Sequence, residues 1–191
     1  MIVDTLKKIR SHRSFSNKKI TMEELEKMVD STRYASSTRN GQKLRYILIN
    51  NEELCNKIFP LVKFAGAIPW NPTLDESPTA YILMCSENPL ENFTEKNLYF
   101  DMGIASHNIM LVAHELGYGG CIIGAYNKTE VDKLVGLPDN YVSHILLALG
   151  EPTDTVTITE SVNGNTTYSR DEKNHHFVPK LSLKEISLLK K

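Results

Sequence analysis

Apolar residues recur at helical spacing over residues 98–116, at Leu98, Met102, Ala105, Ile109, Val112, Ala113 and Leu116. Phe100, Ile104 and Leu111 fall outside that stripe, so the predicted helix is apolar almost all round. Such a helix is buried on every side, and it is expected at the centre of the molecule or across a subunit interface. Gly117-Tyr118-Gly119-Gly120 reads as a glycine-rich stop of the C-cap kind, followed by a strand over 121–126. The β-branched and aromatic content of 44–50 predicts another strand. The runs 79–86 and 141–150 are apolar enough for central strands. Shorter amphipathic helices are predicted over 2–10, with Ile2, Leu6 and Ile9 on one face, and from Thr21, where Glu24 completes a capping box between the staple residues Ile20 and Leu25. Asn51 caps a helix over 52–62 that Pro60 disturbs. Asn127 caps a helix that Gly136 terminates, and Ser182 with Glu185 opens a last one. Residues 153–180 are polar, with Asn163-Gly164 as a turn signal for a hairpin or an extended arm. This mixed order lacks a regular βαβ rhythm, and no G-x-G-x-x-G follows the first strand, which disfavours a Rossmann dinucleotide domain.

Composition narrows the possibilities. At 191 residues, 41% hydrophobic and 24% charged, the chain is expected to form one domain with a real core. The net charge of −1 implies no bulk attraction to nucleic acid or to an anionic membrane, so any anion site is local. Cys55, Cys85 and Cys121 lack C-x-x-C spacing and read as reduced, buried thiols of a cytoplasmic protein. No apolar h-region marks the N-terminus, and no apolar run reaches the roughly 20 residues that span a bilayer.

Candidate chemistry concentrates in three places. Arg10-Ser11-His12-Arg13-Ser14-Phe15 reads either as a solvated basic turn or as a phosphate clamp, because guanidinium forks pair bidentately with phosphate oxygens. The loop Ser36-Ser37-Thr38-Arg39-Asn40-Gly41-Gln42 is either a plain connector or a set of amides and hydroxyls suited to the edge of a heterocycle. Gly124-Ala125 are small residues that let a flat ligand approach backbone. His107 and His114 have no acidic or cysteine partner at ligand spacing and read as structural. His175-His176 read as exposed residues of the polar arm, and Trp70 as a packing anchor in the 64–72 loop. No metal site and no G-x-S-x-G nucleophile motif is found.

Five segments in register resemble the nitroreductase family of FMN-dependent oxidoreductases. Arg10-Ser11-His12-Arg13-Ser14-Phe15 is similar to R-S-x-R-x-F, and residues 35–42 resemble A-P-S-x-x-N-x-Q-P. Residues 101–108 resemble D-x-G-I-A-x-Q-N, residues 119–125 resemble the G-G-C-x-I-G strand, and Val178-Pro179-Lys180 resembles V-P-K-R. Ile9, Ser36, Lys43, His107 and Leu181 depart from the pattern, Leu181 standing where a second basic residue is usual. The resemblance implies an α+β fold with a mixed, largely antiparallel central sheet flanked by helices, as one domain over 1–191. It implies a homodimer with two FMN sites between subunits, embraced by extensions from about residue 153. It places Arg10, Ser11, His12, Arg13 and Lys180 at the phosphate and ribityl chain. Ser37, Asn40 and Gln42 fall near the isoalloxazine, and the backbone of Ile123, Gly124 and Ala125 by its N5 side. The implied activity passes hydride from NADH or NADPH through flavin N5 to a nitroaromatic, quinone or similar small-molecule acceptor by ping-pong kinetics. No side chain is then strictly catalytic. The alternatives are a flavin-binding dimer without reductase activity, and a specialised enzyme of the same fold that dehalogenates reductively or fragments flavin.

Overall fold

The computed structural model describes residues 1–66 and 68–189. Ala67 of the 64–72 loop and Lys190 and Lys191 of the C-terminal extension lie outside the described residues. The central sheet has four strands in the order β1 (Leu44–Ile49), β2 (Ala80–Glu87), β4 (Tyr141–Gly150), β3 (Gly119–Ile123), and every neighbouring pair is antiparallel. Successive side chains of a strand point to opposite faces. In β2, Ala80, Ile82 and Met84 pack on one face with Leu147 and Leu149, while Tyr81, Leu83 and Cys85 pack on the other with Leu146 and Ala148. Both faces are covered, so β2 and β4 read as continuous apolar runs rather than as an alternation.

Helices α2 (Met22–Asp30) and α4 (Glu95–Glu115) supply Leu25, Met28, Leu98, Met102, Ala105 and Ile109 to the first face. Helices α3 (Glu52–Ile58) and α5 (Lys128–Val135) supply Cys55, Ile58 and Val131 to the second. The caps follow the sequence signals. Thr21 and Glu24 form the reciprocal capping box, Asn51 and Asn127 each accept from the third helical N–H, and Gly136 closes α5 at φ 65°. A 3₁₀ turn over Phe59–Leu61 takes over from α3 at Pro60. The short first helix, α1 (Ile2–Lys8), buries no side chain. No described helix is long and apolar enough to cross a membrane.

Helix α4 corrects the expectation of burial on every side. Tyr99 is 56% and Phe100 65% exposed, and Gly103 and His107 continue the open stripe. The opposite stripe, which includes Leu98, Met102, Ala105 and Ile109, is buried. The stop after α4 is only partly what the glycine run predicts. Gly117, at φ 84°, is the left-handed residue of a Schellman closure, with Tyr118 N–H donating to Ala113 O at 2.8 Å and Gly117 N–H to His114 O at 3.1 Å. Gly119 and Gly120 instead begin β3, two residues earlier than expected. They are small because the chain packs against their backbone: a Cβ on Gly120 would lie 2.4 Å from Ala148 O.

Beyond the central sheet, residues 155–180 form a second, three-stranded one. Strand β7 (His175–Lys180) lies between β5 (Thr155–Glu160), to which it is parallel, and β6 (Ser169–Arg170), to which it is antiparallel. Asn163 and Gly164 do form a tight turn at φ 52° and 73°, closed by a bridge between Val162 and Asn165. The flanking strands do not continue as a hairpin, because β5 takes β7 as its neighbour. A four-residue helix, α6 (Leu183–Ile186), carries the Ser182–Glu185 capping box.

Gly150 ends β4 directly beneath Phe15, where an added Cβ would come within 2.8 Å of three Phe15 side-chain atoms. Gly150→Ala is expected to destabilise the fold by about 1–3 kcal/mol, the usual cost of overpacking a filled core. The loss is read as a lower urea midpoint with an unchanged m-value.

Candidate functional site

After α1 the chain runs extended across the end of the central sheet. Ser11 forms a parallel bridge with Gly120, and His12 N–H donates to Gly120 O at 2.9 Å. Further along, Ser16 N–H donates to Glu151 O at 2.9 Å and Thr153 N–H to Ser14 O at 3.0 Å. The basic segment therefore behaves as an additional strand, which the helical reading to residue 10 did not anticipate. Alternation then sorts its side chains. Ser11 and Arg13 face a cavity, whereas His12 turns to the other side.

On that other side sits Asp154, whose side chain is fully buried. His12 Nδ1 donates to its Oδ1 at 2.7 Å, and Arg13 N–H donates to its Oδ2 at 3.0 Å. Arg170 Nη1 and His176 Nε2 each lie 3.8 Å from the same Oδ2. Burial alone would raise the Asp154 carboxyl, but the His12 and Arg13 hydrogen bonds and the nearby positive groups hold it below the usual range. Arg170 lies 3.6 Å over the Trp70 ring, donates to Ser14 Oγ at 2.9 Å and hydrogen-bonds His176 Nε2. A guanidinium can only donate, so His176 Nε2 is the acceptor and the ring is neutral. Burial, reinforced by the Arg170 and Arg13 cations, pushes His176 down to about 4. His176 is thus a buried anchor of β7, not the exposed arm residue that its polar neighbours imply. Its partner on the sheet, Arg170, is invisible to short-range pattern because it acts through Asp154 and Trp70.

The cavity occupies about 280 Å³ between the end of α1, β3, α4 and β7. Arg10, Ser11, Arg13 and Lys180 line it, with His107 and Met110 from α4 and the half-exposed Ile122 from β3. Three permanent cations and an imidazole face it, and among the described residues no carboxylate does. Arg10 Nη2 donates to Leu6 O at 3.0 Å, while its Nε is buried without a partner. Burial lowers the Arg10 pKa, as expected for a guanidinium kept from water. Arg13 Nε donates to Phe64 O at 2.8 Å, and its guanidinium lies 5.3 Å from the Tyr168 ring centre. Tyr168 completes this wall.

The remaining sequence candidates lie elsewhere. Ser37 and Gln42 line a separate cavity of about 170 Å³. Their loop is held by Asp101, whose Oδ1 accepts from both the N–H and the hydroxyl of Thr38 at 2.8 Å. Arg39, Asn40 and Gln42 all take left-handed φ values between 47° and 55°. The Gln42 amide donates to Asn40 Oδ1 at 3.1 Å, so this pair is arranged as one unit. Ile123 turns its side chain into the core, while Gly124 and Ala125 are exposed beyond the end of β3. A Cβ on Gly124 would meet nothing within 4 Å. Ala125 O accepts the Lys63 N–H at 2.9 Å, which brings Lys63 beside this backbone. Within one chain the phosphate-type residues and the loop residues line different cavities.

Asp154, Arg170, Tyr168 and His107 belong to the surroundings of this site and carry no signal in local sequence. His12 and Asp154 are 142 residues apart. Only His107 offered a hint, by departing from the family pattern at its position.

Residues 6–151 match the sequence profile of the nitroreductase family. The chain is 27% identical to an FMN reductase [NAD(P)H] of Bacillus subtilis strain 168, with 92% of this chain and 78% of that protein aligned. It is 30% identical to an NADPH-flavin oxidoreductase of Vibrio harveyi, over 78% of this chain and 65% of that protein. Among solved structures, a nitroreductase family protein from Clostridium difficile 630 superposes with a TM-score of 0.63 at 27% identity, covering 80% of this chain and 84% of its own.

The neutral, buried His176 makes the C-terminal sheet acid-sensitive. An unfolded histidine gains a proton near pH 6.5, but this one holds out to about 4. Its contribution to stability is therefore complete above about pH 6.5 and is lost progressively as the pH falls towards 4. Trp70 packs on both Arg170 and His176 and is the only tryptophan. Its fluorescence is expected to report loosening of this contact across that window, and His176→Gln to remove the dependence.

Proposed function

Because the chain belongs to the nitroreductase family, we propose that it is an FMN-dependent NAD(P)H oxidoreductase. Its acceptor is a nitroaromatic, a quinone or a similar conjugated small molecule, and the donor and acceptor use one place in turn, which is ping-pong kinetics. The observation that carries this reading is the cavity faced by Arg10, Arg13 and Lys180 with no carboxylate, into whose wall Arg10 brings a buried Nε without a partner. A phosphate dianion supplies the missing acceptor and compensates the crowded cations. The relatives named as FMN reductase and NADPH-flavin oxidoreductase support the same cofactor and donor.

FMN, when bound, would supply the chemistry of hydride transfer between NAD(P)H and the acceptor. The protein's part is to bind and orient. Arg10, Ser11, Arg13 and Lys180 hold the phosphate end, and the apolar Ile122 limits water beside it. The Ser37–Asn40–Gln42 loop offers donors and acceptors matched to a heterocycle edge. Because this loop lines a separate cavity in one chain, the reading takes it from the second subunit of a homodimer. The open α4 stripe at Tyr99 and Phe100, and the exposed Leu183 and Ile186 of α6, are apolar surface for that second copy to cover. His12 acts through Asp154, fixing the segment rather than touching the cofactor. The three buried cysteines fit a cytoplasmic setting.

The purified protein is expected to be yellow, and NADH or NADPH to bleach it under anaerobic conditions. A yellow protein that neither nicotinamide bleaches would reduce the reading to flavin binding alone. Arg10→Ala is expected to weaken FMN binding roughly 10- to 100-fold, the scale of one charge-assisted hydrogen bond, with little change in thermal stability of the cofactor-free protein. Light scattering on the dilute holoprotein is expected to give twice the chain mass of 21.6 kDa, and a single-chain mass would remove the composite site.

A further inference from the structure

Four of the six histidines have a side-chain partner within the chain: His12 on Asp154, His144 on Ser86, His175 on Thr157 and His176 on Arg170. His107 has none. It lies on the open stripe of α4, off the face that buries Leu98, Met102, Ala105 and Ile109 in the core. A core role therefore does not explain it. Its ring contributes instead to the wall of the cavity that Arg10, Arg13 and Lys180 share.

We propose that His107 is a ligand of the phosphate end of the cofactor and makes flavin affinity dependent on pH. The proposal rests on the FMN reading of this cavity. The charged groups facing His107 are Arg10 from the end of α1, Arg13 from the extended segment and Lys180 from β7, while the phenol of Tyr168 lines the same wall. All the permanent charges among them are positive. His107 brings an imidazole to the wall that these three cations share. With a phosphate among them, a proton on His107 completes a charge-assisted N–H donor to oxygen. Imidazole is the side chain whose charge changes in the near-neutral range, so phosphate binding and proton uptake at His107 are linked. Arg10 and Lys180 keep the site functional at high pH, and His107 adds to them as the pH falls.

The test measures dissociation constants of FMN and of riboflavin, which lacks the phosphate, by flavin fluorescence. It uses the full chain and its His107→Gln and His107→Ala variants at about pH 6 and pH 8.5. Comparing variants with the native chain cancels the titration of the FMN phosphate itself, whose second pKa is near 6. The expected result is FMN binding about tenfold weaker in both variants at pH 6, a smaller difference at pH 8.5, and unchanged riboflavin binding. Equal losses for FMN and riboflavin would assign His107 a packing role and overturn the proposal. A difference between the native chain and the variants that ignores pH would overturn it too. Failure of the native chain to bind either flavin would overturn the cofactor reading itself, and this proposal with it. Native-like FMN binding in every variant would overturn only the assignment of His107.

Discussion

The carboxylate of Asp154 is the contact on which the candidate site depends. It accepts from the His12 ring and the Arg13 backbone and stands beside Arg170 and His176. It therefore ties the basic N-terminal segment to the second sheet. Its burial would be costly alone, yet the surrounding donors and cations keep it charged. Removing one partner of such a cluster leaves the others buried without compensation, which is why its members behave as a unit. The consequence for function is geometric. With His12 held on one side of the strand, alternation turns Ser11 and Arg13 to the other, towards Arg10 and Lys180.

Close approach makes this arrangement possible. The segment 11–16 lies against the ends of β3 and β4, where Gly119 under His12 and Gly150 under Phe15 leave no room for a side chain. The same two strands form the floor from which Ile122 reaches the cavity. Cation–π contacts continue the support outward, with Arg170 on Trp70 and Arg13 near Tyr168. The single tryptophan is thus a packing anchor, as its place in a loop led one to expect, but what it anchors is an arginine at the site's edge.

Helix α4 organises the division of the site. Asp101 and Ala105 face the cavity of the 36–42 loop, while His107 and Met110 face the cation-lined cavity. One helix therefore separates the two cavities within a chain. An apolar stripe at Tyr99 and Phe100 stays open on the same helix. In the proposed dimer, closing that stripe and joining complementary half-sites are one event, so flavin binding and association stabilise each other.

Local chemistry was enough to read the helices with caps, because Thr21 with Glu24, Asn51, Asn127 and Ser182 with Glu185 act within four residues. It was enough for the central strands, since β2 and β4 bury both faces and must be apolar throughout. The Arg10–Arg13 segment and the Ser37–Gln42 loop stood out as candidates through residue types at short spacing, and the family resemblance assigned them to a flavin. The partner of β5, the burial of His176 and the exposure of Tyr99 and Phe100 were not legible. Each depends on which distant segment arrives next to it: β7 beside β5, Asp154 and Trp70 against Arg170 and His176, and no described segment that buries Tyr99 and Phe100. The amino-acid sequence by itself determined the elements, through periodicity and local hydrogen bonding, and its resemblance to the nitroreductase family pointed to a flavin. Only the tertiary structure decided which charges meet, because Asp154 reaches His12 and Arg13, and His107 shares a cavity with Arg10 and Lys180, from far along the chain.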